Sequence, residues 1–134
     1  MGDNIYDRIK EIKYKSQGEK RIGDFLDSFK ISFFYEKPQL ITDKQGYVRI
    51  WYPDFWLPDP NIFVEYFGFE GNKDYDKGVR EKLRIYNEMK LKVVPIYPAM
   101  MKDRSWRIAL QTEIHKTLVE RLQKFEREFG MGKK

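Results

Sequence analysis

Residues 52–68 read YPDFWLPDPNIFVEYFG, and the way their two halves pair decides the fold. The halves flank Pro58-Asp59-Pro60-Asn61, a run of turn formers between two strand-like arms. Each arm carries one acid, Asp54 and Glu65, among aromatic and branched apolar neighbours. With the turn as the centre of a hairpin, Leu57 pairs with Ile62 and Asp54 stands directly opposite Glu65. Side chains so placed have Cβ atoms roughly 4.5–5.5 Å apart, and like charges there are destabilising. A hard divalent cation between them reverses the sign, because carboxylate oxygens are the ligands Mg²⁺ and Mn²⁺ take. A longer loop or bulge at Pro60 would shift this register. The plainer alternative puts both acids on a solvated face. Neither arm has a clearly polar face, however, and a buried acid needs a partner.

Working outward, residues 3–15 are charged and predict a short first helix. A second helix starts at Ser16, with Ile22, Phe25, Leu26 and Phe29 on one stripe. The runs 31–41, 48–57 and 61–68 predict a three-stranded meander, with a turn around Asp43–Gly46. A Gly- and Asp-containing loop leads to a helix over about 75–90. LKVVPIYP (91–98) predicts a short buried strand reached by a crossover. Residues 104–129 predict one long or two shorter helices, striped by Ile114, Leu118, Leu122, Phe125 and Phe129. The expected fold class is α/β (mixed α+β), in the order α-β-β-β-α-β-α: a mixed sheet of four or more strands flanked by helices. The expected organisation is one domain over 1–134, with a core at about 16–98 and a C-terminal helical extension at about 104–129.

The chain has 134 residues, no cysteine, 35% charged and 16% aromatic residues, and a formal net charge of +5. Lack of cysteine excludes disulfides and thiolate zinc sites. No run approaches the roughly 18 apolar residues of a membrane span. The expected place is therefore intracellular and cytoplasmic, with no membrane partner. The mild positive balance favours a polyanionic partner such as DNA.

YPDF, about ten residues, then VEYFG resembles the core of the PD-(D/E)xK nucleases, the restriction-endonuclease-like superfamily. Within it the chain is similar to small Vsr-like and helicase-associated nuclease domains. The resemblance covers roughly residues 16–98. It implies a restriction-endonuclease-like core, phosphodiester hydrolysis, and Mg²⁺, with Mn²⁺ able to substitute, held by Asp54, Glu65 and the backbone carbonyl of Tyr66. It also implies that a Glu in the first core helix, in a Gly-Glu context such as Gly18-Glu19, completes the metal shell. Ser16-Gln17-Gly18-Glu19 equally fits S-x-x-E, the capping box that starts a helix; the two roles are compatible. The family's second motif ends in lysine, where this chain has Phe67. On the helix after it, Tyr75, Val79, Leu83, Tyr86 and Met89 form the apolar stripe. Lys82 lies inside that stripe, while Lys77, Arg80 and Arg84 point away. Lys82 is either a snorkelling core-edge lysine or the displaced catalytic cation, which orients the attacking water or stabilises charge on the phosphorane.

Lys20, Arg21, Lys44, Arg49, Lys73 and Arg80, with Lys13, Lys15 and Arg84, are candidates for holding a DNA backbone. The loop 69–77 is a candidate DNA-positioning segment, and Trp51, Tyr52 and Trp56 are candidates for stacking on bases. His115, the single histidine, falls on the last helix, away from the motifs. The leading expectation is a Mg²⁺-dependent DNA endonuclease, structure-selective in the manner of a Holliday-junction or nicking enzyme and acting in repair or recombination. The alternative is a catalytically inactive DNA-binding module recruited by a helicase or repair complex. A third is an interaction protein that uses its terminal helix, which also offers a route to a homodimer.

Overall fold

The computed structural model describes residues 12–69 and 71–130. Its architecture is mixed α/β: three helices, a mixed four-stranded sheet and a two-stranded ribbon. The elements are α1 (Gln17–Ser28), β1 (Phe34–Tyr35), β2 (Gln39–Thr42), β3 (Val48–Trp51), β4 (Phe55–Leu57), β5 (Ile62–Tyr66), α2 (Lys73–Glu88), β6 (Lys92–Ile96), a 3₁₀ turn (Pro98–Lys102) and α3 (Ser105–Phe129). The helix expected over 3–15 lies largely outside the described residues, and residues 12–15 are not helical.

The hairpin forms in the expected register. Leu57 faces Ile62, Trp56 faces Phe63 and Phe55 faces Val64, with no shift at Pro60. Asn61 closes the turn in the left-handed region at φ +59°, which Asn tolerates better than most residues. The sheet order is β1-β4-β5-β6; β6 is parallel to β5, so α2 is the crossover.

The three-stranded meander is corrected to five strands. The first run breaks at Glu36-Lys37-Pro38, where Glu36 has φ +53°. The second breaks at Pro53, which has no N–H to give a ladder. Thus β1 and β4 pair in the main sheet, while β2 and β3 form a separate ribbon with Leu40 opposite Ile50. Its turn is closed by Asp43, whose Oδ1 accepts from the Gln45 and Tyr47 N–H groups at 3.0 Å each.

Alternation along β5 gives the sheet two different faces. Ile62 and Val64, with Phe55 and Leu57, pack against Ile22, Phe25 and Leu26 of α1 and Trp106, Leu110 and Ile114 of α3. Phe63 and Glu65 face the other way, toward α2, where Phe63 meets Tyr86 at 5.6 Å between ring centroids. The register puts Asp54 on that same side. Helix α2 starts earlier than expected: Asn72 caps it, accepting from the Tyr75 N–H at 3.1 Å, and Asp74 and Asp76 complement the dipole of its first turn. Residues 73–77 are therefore helix, not loop. Only the first half of α3 is covered. Trp106, Leu110, Ile114 and Thr117 are buried, while Leu118, Leu122, Phe125 and Phe129 of the expected stripe are exposed. Among the described residues no helix is long and apolar enough to cross a membrane.

Gly18 lets α1 approach the end of β5, because a Cβ there would overlap the Tyr66 ring. Gly18→Ala is expected to cost about 1–3 kcal/mol in urea denaturation, as an overpacked contact does. Gly78→Ala, on a helix interior with no atom within 4 Å of the added carbon, is expected to raise stability by about 1 kcal/mol. Equal effects of the two would contradict the close approach.

Candidate metal and hydrolase site

The hairpin brings the start of β4 and the end of β5 to one end of the sheet. Asp54 sits in the bend before β4, and its Oδ2 accepts from the Tyr66 N–H at 2.7 Å. That bond fixes the carboxylate beside Glu65. Glu65 is 1% exposed, and its Oε1 takes both the Tyr86 hydroxyl at 2.6 Å and the Lys82 Nζ at 3.0 Å. Lys82 thus faces the sheet, as its place in the apolar stripe implies. Tyr86 is itself clamped by Trp51, stacked at 4.8 Å and 16°. A cavity of about 330 Å³ opens here, lined by Asp54, Glu65, Tyr66, Phe67, Tyr75, Gly78, Val79 and Lys82.

A second acidic group adjoins it. Carboxylate oxygens of Glu19, Glu36 and Asp54 all lie within 4.8 Å of one another. Glu19 has the capping role: its backbone N–H donates to Ser16 Oγ at 3.1 Å, and Ser16 Oγ donates to Glu19 Oε2 at 2.6 Å. Its other oxygen accepts from the Tyr35 hydroxyl at 2.8 Å. Each carboxylate oxygen keeps a further lone pair, so capping leaves Glu19 able to bind a cation. Sequence reasoning missed Glu36. It belongs to a run that reads as one continuous strand, and the signals were its place just before Lys37-Pro38 and the turn that proline implies. The left-handed backbone of Glu36, whose N–H donates to the Asp54 carbonyl at 3.0 Å, carries the residue to the acids. Lys15 pairs with it at 2.8 Å.

Asp54 belongs to both groups and feels both. Its carboxyl is pushed up to about 8, first by burial and then by Glu65, with Glu19 adding; the Tyr66 N–H and Lys82 pull the other way. Burial and the neighbouring Glu65 also raise the Tyr86 hydroxyl, which stays a proton donor to Glu65.

The expected DNA-backbone residues do not converge on this site as a set. Arg21 is spoken for: it donates to the Met101 carbonyl at 2.9 Å and lies 5.8 Å from the Trp106 ring. Lys20 pairs with Asp24 at 2.7 Å, Arg49 with Asp43 at 3.2 Å and Lys44 with Glu88 at 3.7 Å. Lys44 and Arg49 line a separate groove with Glu81 and Arg84. Lys73 and Arg80 are exposed on α2, and His115 is exposed on α3. Trp51 and Trp56 are half-buried in stacks with Tyr86 and Phe34, which leaves Tyr52 as the exposed one of the three aromatics. A larger hollow of about 500 Å³ between the 58–61 turn and α3 holds no acid cluster, and its Lys92 and Arg121 are engaged by Glu113 and by the Pro58 and Asp59 carbonyls.

Comparison of the chain with protein-family models, with curated proteins and with solved structures finds no match.

With divalent ions chelated, Asp54 holds its proton far more tightly when folded, at about 8, than at its ordinary 3.8. Between those values the folded state binds more protons, so stability falls as pH rises. Urea midpoints are expected to be lower at pH 8 than at pH 5, and Asp54→Asn to remove most of that slope. A slope unchanged in the variant would assign it to other groups.

Proposed function

We propose that the chain is a metal-dependent endonuclease that hydrolyses phosphodiester bonds in DNA, on a restriction-endonuclease-like core. The observation that carries this reading is a pair of acidic groups at one sheet end that share Asp54: Glu19, Glu36 and Asp54 have carboxylate oxygens within 4.8 Å of one another, and Asp54 lines one cavity with Glu65 and Lys82. Oxygen-only donors suit Mg²⁺ or Mn²⁺. The fit is supported by Asp54, whose carboxyl is pushed up to about 8 by burial and negative neighbours, a conflict that a divalent cation relieves. Asp54 with Glu65, Glu19 and the added Glu36 would hold the ion, with the Tyr66 carbonyl as a further donor. When bound, the metal supplies Lewis-acid polarisation of phosphate and a water of lowered pKa.

The chain's own groups do the rest. Tyr35 and Ser16 hold Glu19 in one orientation, and Tyr86 does the same for Glu65. Such outer partners set ligand geometry, and losing one commonly costs 10–100-fold. Lys82, steadied by Glu65, presents an ammonium to the cavity where a phosphate oxygen or attacking water sits. It stands in for the lysine that Phe67 replaces. Phe67 instead gives the cavity an apolar wall, 5% exposed and against Tyr97 at 5.7 Å.

A second reading, a DNA-binding module without catalysis, draws its support from that same Phe67. Cleavage of supercoiled, single-stranded, flap and four-way-junction DNA in Mg²⁺, Mn²⁺ or EDTA separates the two. Metal-dependent cleavage is expected, reduced about 10³-fold or more by Asp54→Asn and about 10²–10⁴-fold by Lys82→Ala. Tyr86→Phe is expected to lower it about 10–100-fold. Tight binding with no cleavage in any metal would establish the second reading.

A further inference from the structure

We infer that the hollow between the 58–61 turn, the start of β6 and α3 binds a small phosphate-bearing ligand, held by Lys90, Arg121, Lys124 and the Thr117 hydroxyl. The hollow lies at the opposite end of the sheet from the acids. Strand β5 runs about 13 Å from Ile62, next to Asn61 of the hollow's rim, to Tyr66 beside Asp54. The inference stands on this hollow alone and does not depend on the nuclease reading.

Charge selects the ligand. Helix α3 contributes Thr117, Arg121 and Lys124 from one stripe, at i, i+4 and i+7, and the link from α2 to β6 contributes Lys90 and Lys92. Four cations therefore line the hollow against one carboxylate, Glu128. Lys92 is neutralised by Glu113 at 2.8 Å. Glu128 is exposed and only loosely paired with Lys124, at 3.9 Å. Lys90, Arg121 and Lys124 against Glu128 leave an excess of two positive charges, which suits a dianion such as a phosphate group rather than a lone carboxylate.

Geometry points the same way. Arg121 Nη1 donates to the Pro58 and Asp59 carbonyls, which fixes the guanidinium. Its remaining N–H groups meet no partner among the described residues, and a held guanidinium matches phosphate oxygens. Thr117 is 8% exposed, and its buried hydroxyl has no hydrogen-bond partner among the described residues. An orphaned buried hydroxyl is rare and costly, and a ligand oxygen supplies what it lacks. The volume of about 500 Å³ falls in the range of small-molecule sites, and Leu91 and Phe125 add an apolar wall for the ligand's body. Lys90 follows the cap of α2 in the left-handed region, at φ +57°, the place glycine most often takes at a helix end. Lys90→Gly therefore removes the ammonium and relieves the backbone at once.

Calorimetric titration of pyrophosphate into the full chain, in EDTA and at fixed ionic strength, tests the inference. Saturable binding is expected. Lys90→Gly is expected to weaken it about tenfold, with a urea midpoint no lower than wild type; Lys124→Ala about tenfold; and Thr117→Val about fivefold. Lys82→Ala, in the acidic cavity, is expected to bind pyrophosphate as the wild type does. A wild type that takes up no pyrophosphate would overturn the inference. So would binding that survives the Lys90, Lys124 and Thr117 substitutions, binding lost in Lys82→Ala, or lysines 90 and 124 that hold duplex DNA but not pyrophosphate.

Discussion

A carboxylate buried at the end of an apolar sheet face has to be answered, and Glu65 is answered by Lys82 and Tyr86 on a single oxygen. Removing one partner of such a buried pair typically costs about 3–5 kcal/mol, because the remaining charge stays uncompensated. The requirement organises much of the molecule. It fixes the rotation of α2 over the sheet, since Lys82 and Tyr86 are one helical turn apart and both must reach Glu65. It places the Tyr86 ring against Phe63, and Trp51 then stacks on Tyr86 and anchors the ribbon to the body.

The same interaction prepares the neighbouring acid. Lys82 offsets Glu65 and part of the burden on Asp54, which stays crowded by Glu65 and Glu19 with the Tyr66 N–H to steady it. Excess negative charge at a sheet end, assembled from four separate segments of chain, is unfavourable for folding without a counter-ion. On the proposed reading, a divalent cation held there would add stability to the fold. The arrangement resembles a strained functional site: two acids on the hairpin, one on a helix cap and one on a left-handed backbone turn.

Most of the site was legible because its signals are local. The hairpin register follows from Pro58–Asn61 and from two arms of like character, and it alone puts Asp54 beside Glu65. The Ser16 cap follows from S-x-x-E. Lys82 follows from being the one cation within the α2 stripe. What escaped was set by tertiary context. Glu36 sits between Tyr35 and Lys37 in a run that carries no period, and only the break at Pro38 turns it toward Asp54. The runs 31–41 and 48–57 read as continuous strands by composition, while Pro38 and Pro53 divide each between two sheets. Arg21 reads as a surface cation, yet the 3₁₀ turn after β6 supplies a carbonyl for it. Along α3 the apolar period continues past the point where the sheet ends, so periodicity could not say which half is covered.

The central claim is that these acids share one divalent cation centred on Asp54. Calorimetric titration of Mn²⁺ into the full chain tests it without DNA or catalysis. Saturable binding is predicted for the wild type, lost in Asp54→Asn and weakened about 10–100-fold in Glu36→Gln. A wild type that takes up no Mn²⁺, or binding that survives Asp54→Asn unchanged, would contradict the account.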